Sequence, residues 1–486
     1  MSYLSVTFLA LVAMALLMFY IAPVKHRWNV LVLVSLIFYM SYDPRYVLYL
    51  LFVALSTFLC ARAFQKYGSR KWMLILCIAG NAFLWFAIKQ LSGIVNYMNA
   101  WVRFSPAQIT LPLIFRLVPL GISYYMLQSV SYLVDVYCKK IPAERSFGKY
   151  LLYLAYFPAV VQGPISRYDA LAPQFLHEKK LDMDAIFDNT LLILLGLIKK
   201  LVVADRLNLF VSHCFSNIAQ TDGAVLALGA IGFAFQIYAD FSGCVDICRG
   251  ISGYFGIDLP QNFCAPYHAT SVKDFWSRWH ISLSQWLRDY IYIPLGGNRK
   301  GSVRKKCNLA ITFLVSGIWH GAGVTYLIWG VLHAAYQIIG EVTHTVRQKL
   351  KHSLDVEKDS ASERFYQQVI TFGLITVAWI FFRADNVKSA FLYLWRILTQ
   401  SHVFSLFAVE TFEKGIPLAG CILIGLHIVM MLCADGMRRQ GRNVVKEVRS
   451  LHFVCRWGIY GLLIMDLFLF GVYGGYDPAA FMYGGY

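Results

Sequence analysis

The residue in this chain most able to do chemistry is a histidine set among apolar neighbours. In Ser316-Gly-Ile-Trp-His-Gly-Ala-Gly323, His320 stands between two apolar runs with no acidic residue beside it. Holding an ionisable group at membrane depth costs about 2.5–3.5 kcal/mol, so such a residue usually faces a cavity or a partner. Two readings fit His320. One is a neutral imidazole satisfied by a backbone carbonyl. The other is a general base that takes a hydroxyl proton near neutral pH, which is what O-acylation requires. The flanking glycines let another helix or a substrate come close.

A second chemistry-bearing segment, Ser271 to Arg299, is dense in Trp, Tyr and Arg. Asp274 and Arg278 are four residues apart, as are His280 and Ser284, so each pair should share one helical face, and the minimum reading is a paired interfacial helix. His280 is the only other residue of this segment suited to line a path to His320. Gly296-Gly297 should end the helix before a basic loop carrying Arg299, Lys300, Arg304, Lys305 and Lys306. Those cations read either as cytosolic-side anchors or, for Arg299 and Lys300, as contacts to the phosphates of an acyl donor. Asp135, Asp240 and Asp246 lie in apolar segments threaded with Ser and Tyr and are read as architectural, pairing with Lys or Arg to brace helices. Cys244 and Cys248 share a helix face without a second ligand pair nearby, so they are read as core residues and no metal site is expected.

The elements that must position these residues are written in the composition. Of 486 residues, 58% are hydrophobic and 15% charged, against about 25% charged in an ordinary soluble domain. Mean hydropathy is +0.54. Long apolar runs recur at Leu4–Ala22, Val30–Met40, Val47–Ala63, Trp72–Ile88, Ile186–Ile198, Val225–Ala239, Leu309–Ile318, Thr325–Ile339, Val369–Phe382, Pro417–Leu432 and Phe453–Tyr473. A bilayer crossing takes about 20 residues, so the expectation is an all-α polytopic bundle of about eleven spans with re-entrant segments. The first run has neither a basic segment before it nor a small-residue cleavage pattern after it, and is read as a retained helix. The net charge of +17 is spread between the apolar runs, which fits the positive-inside rule and argues against nucleic acid. Basic connections after the first and third runs, after Tyr137, and at Arg438 to Arg449 place the N-terminus and the tail beyond Tyr473 outside the cytosol. Residues 1–486 read as one membrane domain, with 474–486 as an extracytoplasmic tail.

Several segments together carry a family resemblance. Val118-Pro-Leu-Gly-Ile-Ser-Tyr-Tyr125, Phe157-Pro-Ala-Val-Val-Gln-Gly-Pro-Ile-Ser-Arg167, Gly196-Leu-Ile-Lys-Lys-Leu-Val-Val-Ala-Asp-Arg206, the Trp276–Arg299 stretch, Trp319-His-Gly321 and Trp379-Ile-Phe-Phe-Arg-Ala384 resemble, in order and spacing, the alginate O-acetyltransferase branch of the membrane-bound O-acyltransferase family. The resemblance implies a funnel-shaped helical bundle in which the family's catalytic histidine matches His320 and its second functional histidine matches His280. It implies acetyl-CoA as donor substrate with no permanently bound cofactor. The acetyl group would cross a bacterial plasma membrane to an extracytoplasmic polysaccharide or cell-wall glycan, with help from a separate SGNH-type O-acetyltransferase. The end of the chain, Phe481-Met-Tyr-Gly-Gly-Tyr486, resembles the short aromatic tails of some relatives, which makes Tyr483 a candidate acyl relay. D-alanyl transfer to teichoic acid is the alternative within enzymes. A transporter is the alternative from another class, although the internal repeats expected of one are not visible.

Overall fold

Each apolar run named above is helical over most of its described residues. The computed structural model describes residues 2–90, 95, 98–99, 118–353, 360–407 and 418–473, and among them there is helix, turn and coil but no strand. A bilayer offers no partner for backbone N–H and C=O groups, and a helix satisfies them within its own segment. Six described helices are long and apolar enough to cross a membrane, by length and composition alone: Tyr46–Tyr67, Lys71–Lys89, Gly223–Tyr254, Ala361–Arg383, Ala419–Arg439 and Phe453–Phe470. Val6–Ile21 is a shorter apolar helix, started by the Ser5 hydroxyl, which accepts the Phe8 N–H at 3.2 Å. Leu76, Phe83 and Phe468 point outward from their helices, as side chains facing lipid do.

The chain forms two compact units. One takes in Met1–Ile193 and Cys244–Pro260, the other Leu194–Gly243 and Gln261–Gly474. In the first, Tyr3, Phe8, Phe38 and Phe157 pack ring against ring, and the Tyr3 hydroxyl donates to the Phe157 carbonyl at 3.0 Å. That contact anchors the irregular backbone of residues 156–166, which is buried throughout. Buried coil is tolerated only where its polar groups find partners, and the Ser35 hydroxyl accepts the Phe157 N–H at 3.1 Å. Beyond the Ile122–Tyr137 helix, Glu144 ties down the turn. Its carboxylate accepts the Arg145 and Ser146 N–H groups at 2.7 and 2.8 Å and the Tyr168 hydroxyl at 2.5 Å.

In the second unit the buried Lys200, in the Ile198–Ala204 π-helical turn, pairs with Asp240 at 2.5 Å and Asp205 at 2.9 Å. This is the pairing expected for Asp240, and Asp135 pairs with Lys140 in the first unit at 3.0 Å. The end of the last helix docks beside the same turn, where Arg206 donates to the Phe470 carbonyl at 2.7 Å and the Val472 N–H to the Leu201 carbonyl at 3.1 Å.

Candidate active site

The helix Gly301–His320 and the helix Val324–Val342 form an antiparallel hairpin joined by Gly321–Gly323. Its backbones touch at two glycines. A Cβ on Gly317 would stand 2.5 Å from the Tyr326 carbonyl oxygen, and one on Gly330 would stand 2.5 Å from the Phe313 carbonyl oxygen. Residues that lack a Cβ are what let two helices come this close. The close approach carries His320, the last residue of its helix, against the second helix and against Ala361–Arg383.

His320 is 2% exposed, and its ring lies 4.8 Å from the Trp319 ring, 5.1 Å from Trp329 and 5.2 Å from Phe382, centroid to centroid. His280 is 1% exposed, 4.8 Å from Phe241 and 6.2 Å from Trp319. The Trp319 indole therefore neighbours both His280 and His320, although forty positions separate the two histidines in sequence. Aromatic walls keep bulk water from the imidazoles, and in such surroundings a proton transfer or an oriented dipole counts for more than in solvent.

One local expectation fails at His280. The segment is not one helix with His280 and Ser284 on a shared face. It is two short helices, Val272–Arg278 and Ile281–Leu287, and His280 between them adopts left-handed φ 41° and ψ 54°. The cause lies elsewhere in the chain. The Ile281 N–H donates to the Asn262 backbone carbonyl at 3.0 Å, the Ser282 N–H donates to the Asn262 side-chain oxygen at 3.0 Å, and the Cys264 N–H donates to the Arg278 carbonyl at 3.0 Å. These bonds replace intrahelical ones and turn the His280 ring inward. The first half keeps the expected pair, Arg278 to Asp274 at 2.8 Å, with the Ser271 hydroxyl capping the helix at the Asp274 N–H.

The basic loop is also shorter than expected. The helix begins at Gly301, so Arg304, Lys305 and Lys306 lie on its first turns, with Lys305 paired to Glu341 at 2.6 Å. Arg299 and Lys300 stand exposed just before the helix. Twenty residues of helix put them about 30 Å from His320 at 1.5 Å rise per residue, so they do not join the two histidines. Tyr483 lies outside the described residues.

Sequence reading missed His333. It is wholly buried on the second helix of the hairpin, 4.8 Å from the Trp329 ring, and its Nδ1 accepts the Trp276 indole N–H at 3.1 Å. An ionisable residue inside an apolar run, one helical turn from a tryptophan, was the available signal. The membership of Trp276, Trp329 and Trp379 in one shell was not available, because it depends on three separate elements meeting.

Over residues 139–373 the sequence matches the membrane-bound O-acyltransferase family model. The probable alginate O-acetylase AlgI of Azotobacter vinelandii is 32% identical over 411 residues, covering 82% of this chain and 77% of that protein. The chain belongs to the membrane-bound O-acyltransferase family. A peptidoglycan O-acetyltransferase of Helicobacter pylori is 33% identical over 391 residues, 74% of this chain and 71% of its own length. A teichoic acid D-alanyltransferase of Bacillus subtilis is 28% identical over 227 residues, 44% of this chain and 57% of its own. As a member of this family the protein is an O-acyltransferase and a multi-pass membrane protein, and the His280–Trp319–His320 group lies inside the region the family model matches.

Proposed function

We propose that this O-acyltransferase moves acetyl from cytosolic acetyl-CoA across the plasma membrane for O-acetylation of an extracytoplasmic polysaccharide or cell-wall glycan. The observation that carries this reading is the packing of both His280 and His320 beside Trp319, in a chain similar over most of its length to an alginate O-acetylase and a peptidoglycan O-acetyltransferase. In this reading His320 takes the proton of the acceptor hydroxyl as the oxygen attacks the thioester carbonyl. The tetrahedral oxyanion then collapses, the C–S bond breaks, and the departing thiolate takes the proton back from His320, leaving an ester and free CoA thiol. His280 lines the path to that centre. Arg299 and Lys300, about 30 Å away by helix length, steer the phosphates of the donor and touch no reacting atom.

The acceptor inside the membrane is either a hydroxyl entering from outside or Tyr483. In the second case a phenolic ester forms and hands the acetyl on, since a hydroxyl of pKa about 10 leaves more readily than a sugar alkoxide. A separate SGNH-type O-acetyltransferase would complete transfer to the glycan.

The test is His320→Ala, scored by ester-linked acetate released from isolated glycan by mild base, with the protein's membrane level measured in parallel. Loss of a general base removes about 10²- to 10⁴-fold, so acetate should fall to background while the protein still accumulates. Acetate at wild-type level refutes the assignment. Release of D-alanine in place of acetate transfers the chemistry to the D-alanyl reading, for which the similarity to the teichoic acid enzyme is the support.

A further inference from the structure

The proton position on His333 follows from its partner. An indole N–H can only donate, so the 3.1 Å bond from Trp276 Nε1 to His333 Nδ1 leaves Nδ1 without a hydrogen. The ring is then neutral and carries its one proton on Nε2. That Nε2–H is buried and has no hydrogen-bond acceptor among the described residues. The same holds for the indole N–H of Trp329 and the hydroxyl of Ser316. Trp329 is the ring that neighbours both histidines, at 5.1 Å from His320 and 4.8 Å from His333. Ser316 lies one helical turn before His320 on the same helix face.

Buried donors in native proteins are nearly always paired, and leaving one unpaired costs about 1–3 kcal/mol. His333 and Trp329 are in this condition side by side, with Ser316 one helical turn from His320, and such donors can be met by a partner that arrives with the substrate. The orientation of His333 is held from several sides. Phe313 stacks on it at 5.8 Å and 19°, Trp329 and Trp276 meet it edge to face, and Trp276 fixes Nδ1. Such locking gives a hydrogen-bond donor no reorganisation to undergo when charge develops nearby.

We propose that His333 is a further catalytic residue, whose Nε2–H donates a hydrogen bond to a carbonyl oxygen of the acyl donor bound beside Trp329. The inference rests on the acyl-transfer reading above. The proton stays on Nε2 throughout, and His320 alone exchanges one with the acceptor. Two carbonyls of a thioester donor qualify, the acyl carbonyl itself and an amide carbonyl of the arm that carries it. They differ in what they affect. A bond to the acyl oxygen strengthens as that oxygen becomes an oxyanion and acts on kcat, whereas a bond to an amide carbonyl is equal in ground and transition states and acts on KM.

The experiment compares His333→Asn and His333→Gln in membranes containing the full chain, with transfer measured against acetyl-CoA concentration. Asparagine places an amide oxygen where Nδ1 stands, keeping the acceptor for Trp276 and losing the far donor. Glutamine carries an amide to the position of Nε2. The expected result is that Asn loses about 10²- to 10³-fold in kcat if the acyl oxygen is the partner, or about tenfold in KM if an amide carbonyl is, and that Gln restores a large part of the loss. Wild-type transfer in His333→Asn overturns the proposal, because His333 is then only a buried acceptor for Trp276. Equal losses in Asn and Gln overturn it as well. His320→Ala in the same membranes keeps the two questions apart, since transfer that survives there defeats the acyl-transfer reading of the site, whereas a failed Asn–Gln contrast defeats only the role of His333.

Discussion

Gly317→Ala tests whether the close helix contact is what positions His320. The added Cβ would lie 2.5 Å from the Tyr326 carbonyl oxygen and 3.1 Å from its carbon, whereas ordinary contact begins at 3.4 Å. The two helices must therefore part by about 1 Å near the closed end of the hairpin, three residues from His320. Two effects on stability oppose each other. Alanine gains about 1 kcal/mol of helix propensity over glycine, and overpacking against backbone costs about 1–3 kcal/mol, so the net loss is at most about 2 kcal/mol and the protein should still reach the membrane. The effect on chemistry should be larger than the effect on folding, because a displacement of about 1 Å in a positioned group can cost about 10²-fold in rate. The assay is acyl transfer in membranes normalised to protein level, with thermal unfolding of the detergent-solubilised protein beside it. Gly373→Ala is the control, since a Cβ there meets nothing within 4 Å. Its activity should be unchanged and its stability equal or slightly higher. Wild-type transfer in Gly317→Ala, or an equal loss in Gly373→Ala, would refute the positional role of the hairpin contact.

Three further outcomes are expected. Lys200→Met strands Asp240 and Asp205 in a buried site and should cost about 3–5 kcal/mol of stability, whereas Asp240→Asn should cost less because Asp205 still neutralises Lys200 at 2.9 Å; thermal unfolding of both variants in detergent decides this, and equal midpoints would contradict it. Burial pushes the Glu144 carboxyl up, but hydrogen bonds from Tyr168, Ser146 and Arg145 outweigh it and hold the group below its ordinary value of 4.5. Its contribution is thus fully present above about pH 4.5 and is lost as pH falls through the lowered folded value, so Glu144→Gln should lower stability most at neutral pH and converge with the wild type at the acid end of a stability-against-pH curve. A cysteine at Ala480, in a chain freed of the exposed Cys138, Cys307, Cys433 and Cys455, should react with a membrane-impermeant thiol reagent in intact spheroplasts; labelling only after lysis would invert the orientation of the last helix.

Much of the fold was legible along the chain, because helix formation is a local matter. Each backbone bond closes within four residues, and an apolar run in lipid has no alternative partner for its amides. Thus Val47–Ala63 and Trp72–Ile88 became the helices Tyr46–Tyr67 and Lys71–Lys89, and the Asp274–Arg278 pair formed at its four-residue spacing. The same local rule erred at His280 and at Arg304–Lys306. At His280, bonds donated by Ile281 and Ser282 to Asn262 broke a helix that spacing alone would have continued. At Arg304–Lys306, a helix started earlier than its charge pattern suggested.

What the sequence by itself determined was a helical membrane protein with one conspicuous histidine and a set of motifs shared with O-acyltransferases. Tertiary structure alone decided that His280 and His320 both pack beside Trp319, that Lys200 is the partner of an aspartate forty residues away, and that the proton of His333 is fixed on Nε2 by Trp276. The physical reason is range. Periodicity and spacing report which residues share a helix face, because that is set by rotation about one axis. Which faces then meet depends on the shapes of side chains from distant segments packing at near-crystalline density, and a one-dimensional pattern does not record those shapes.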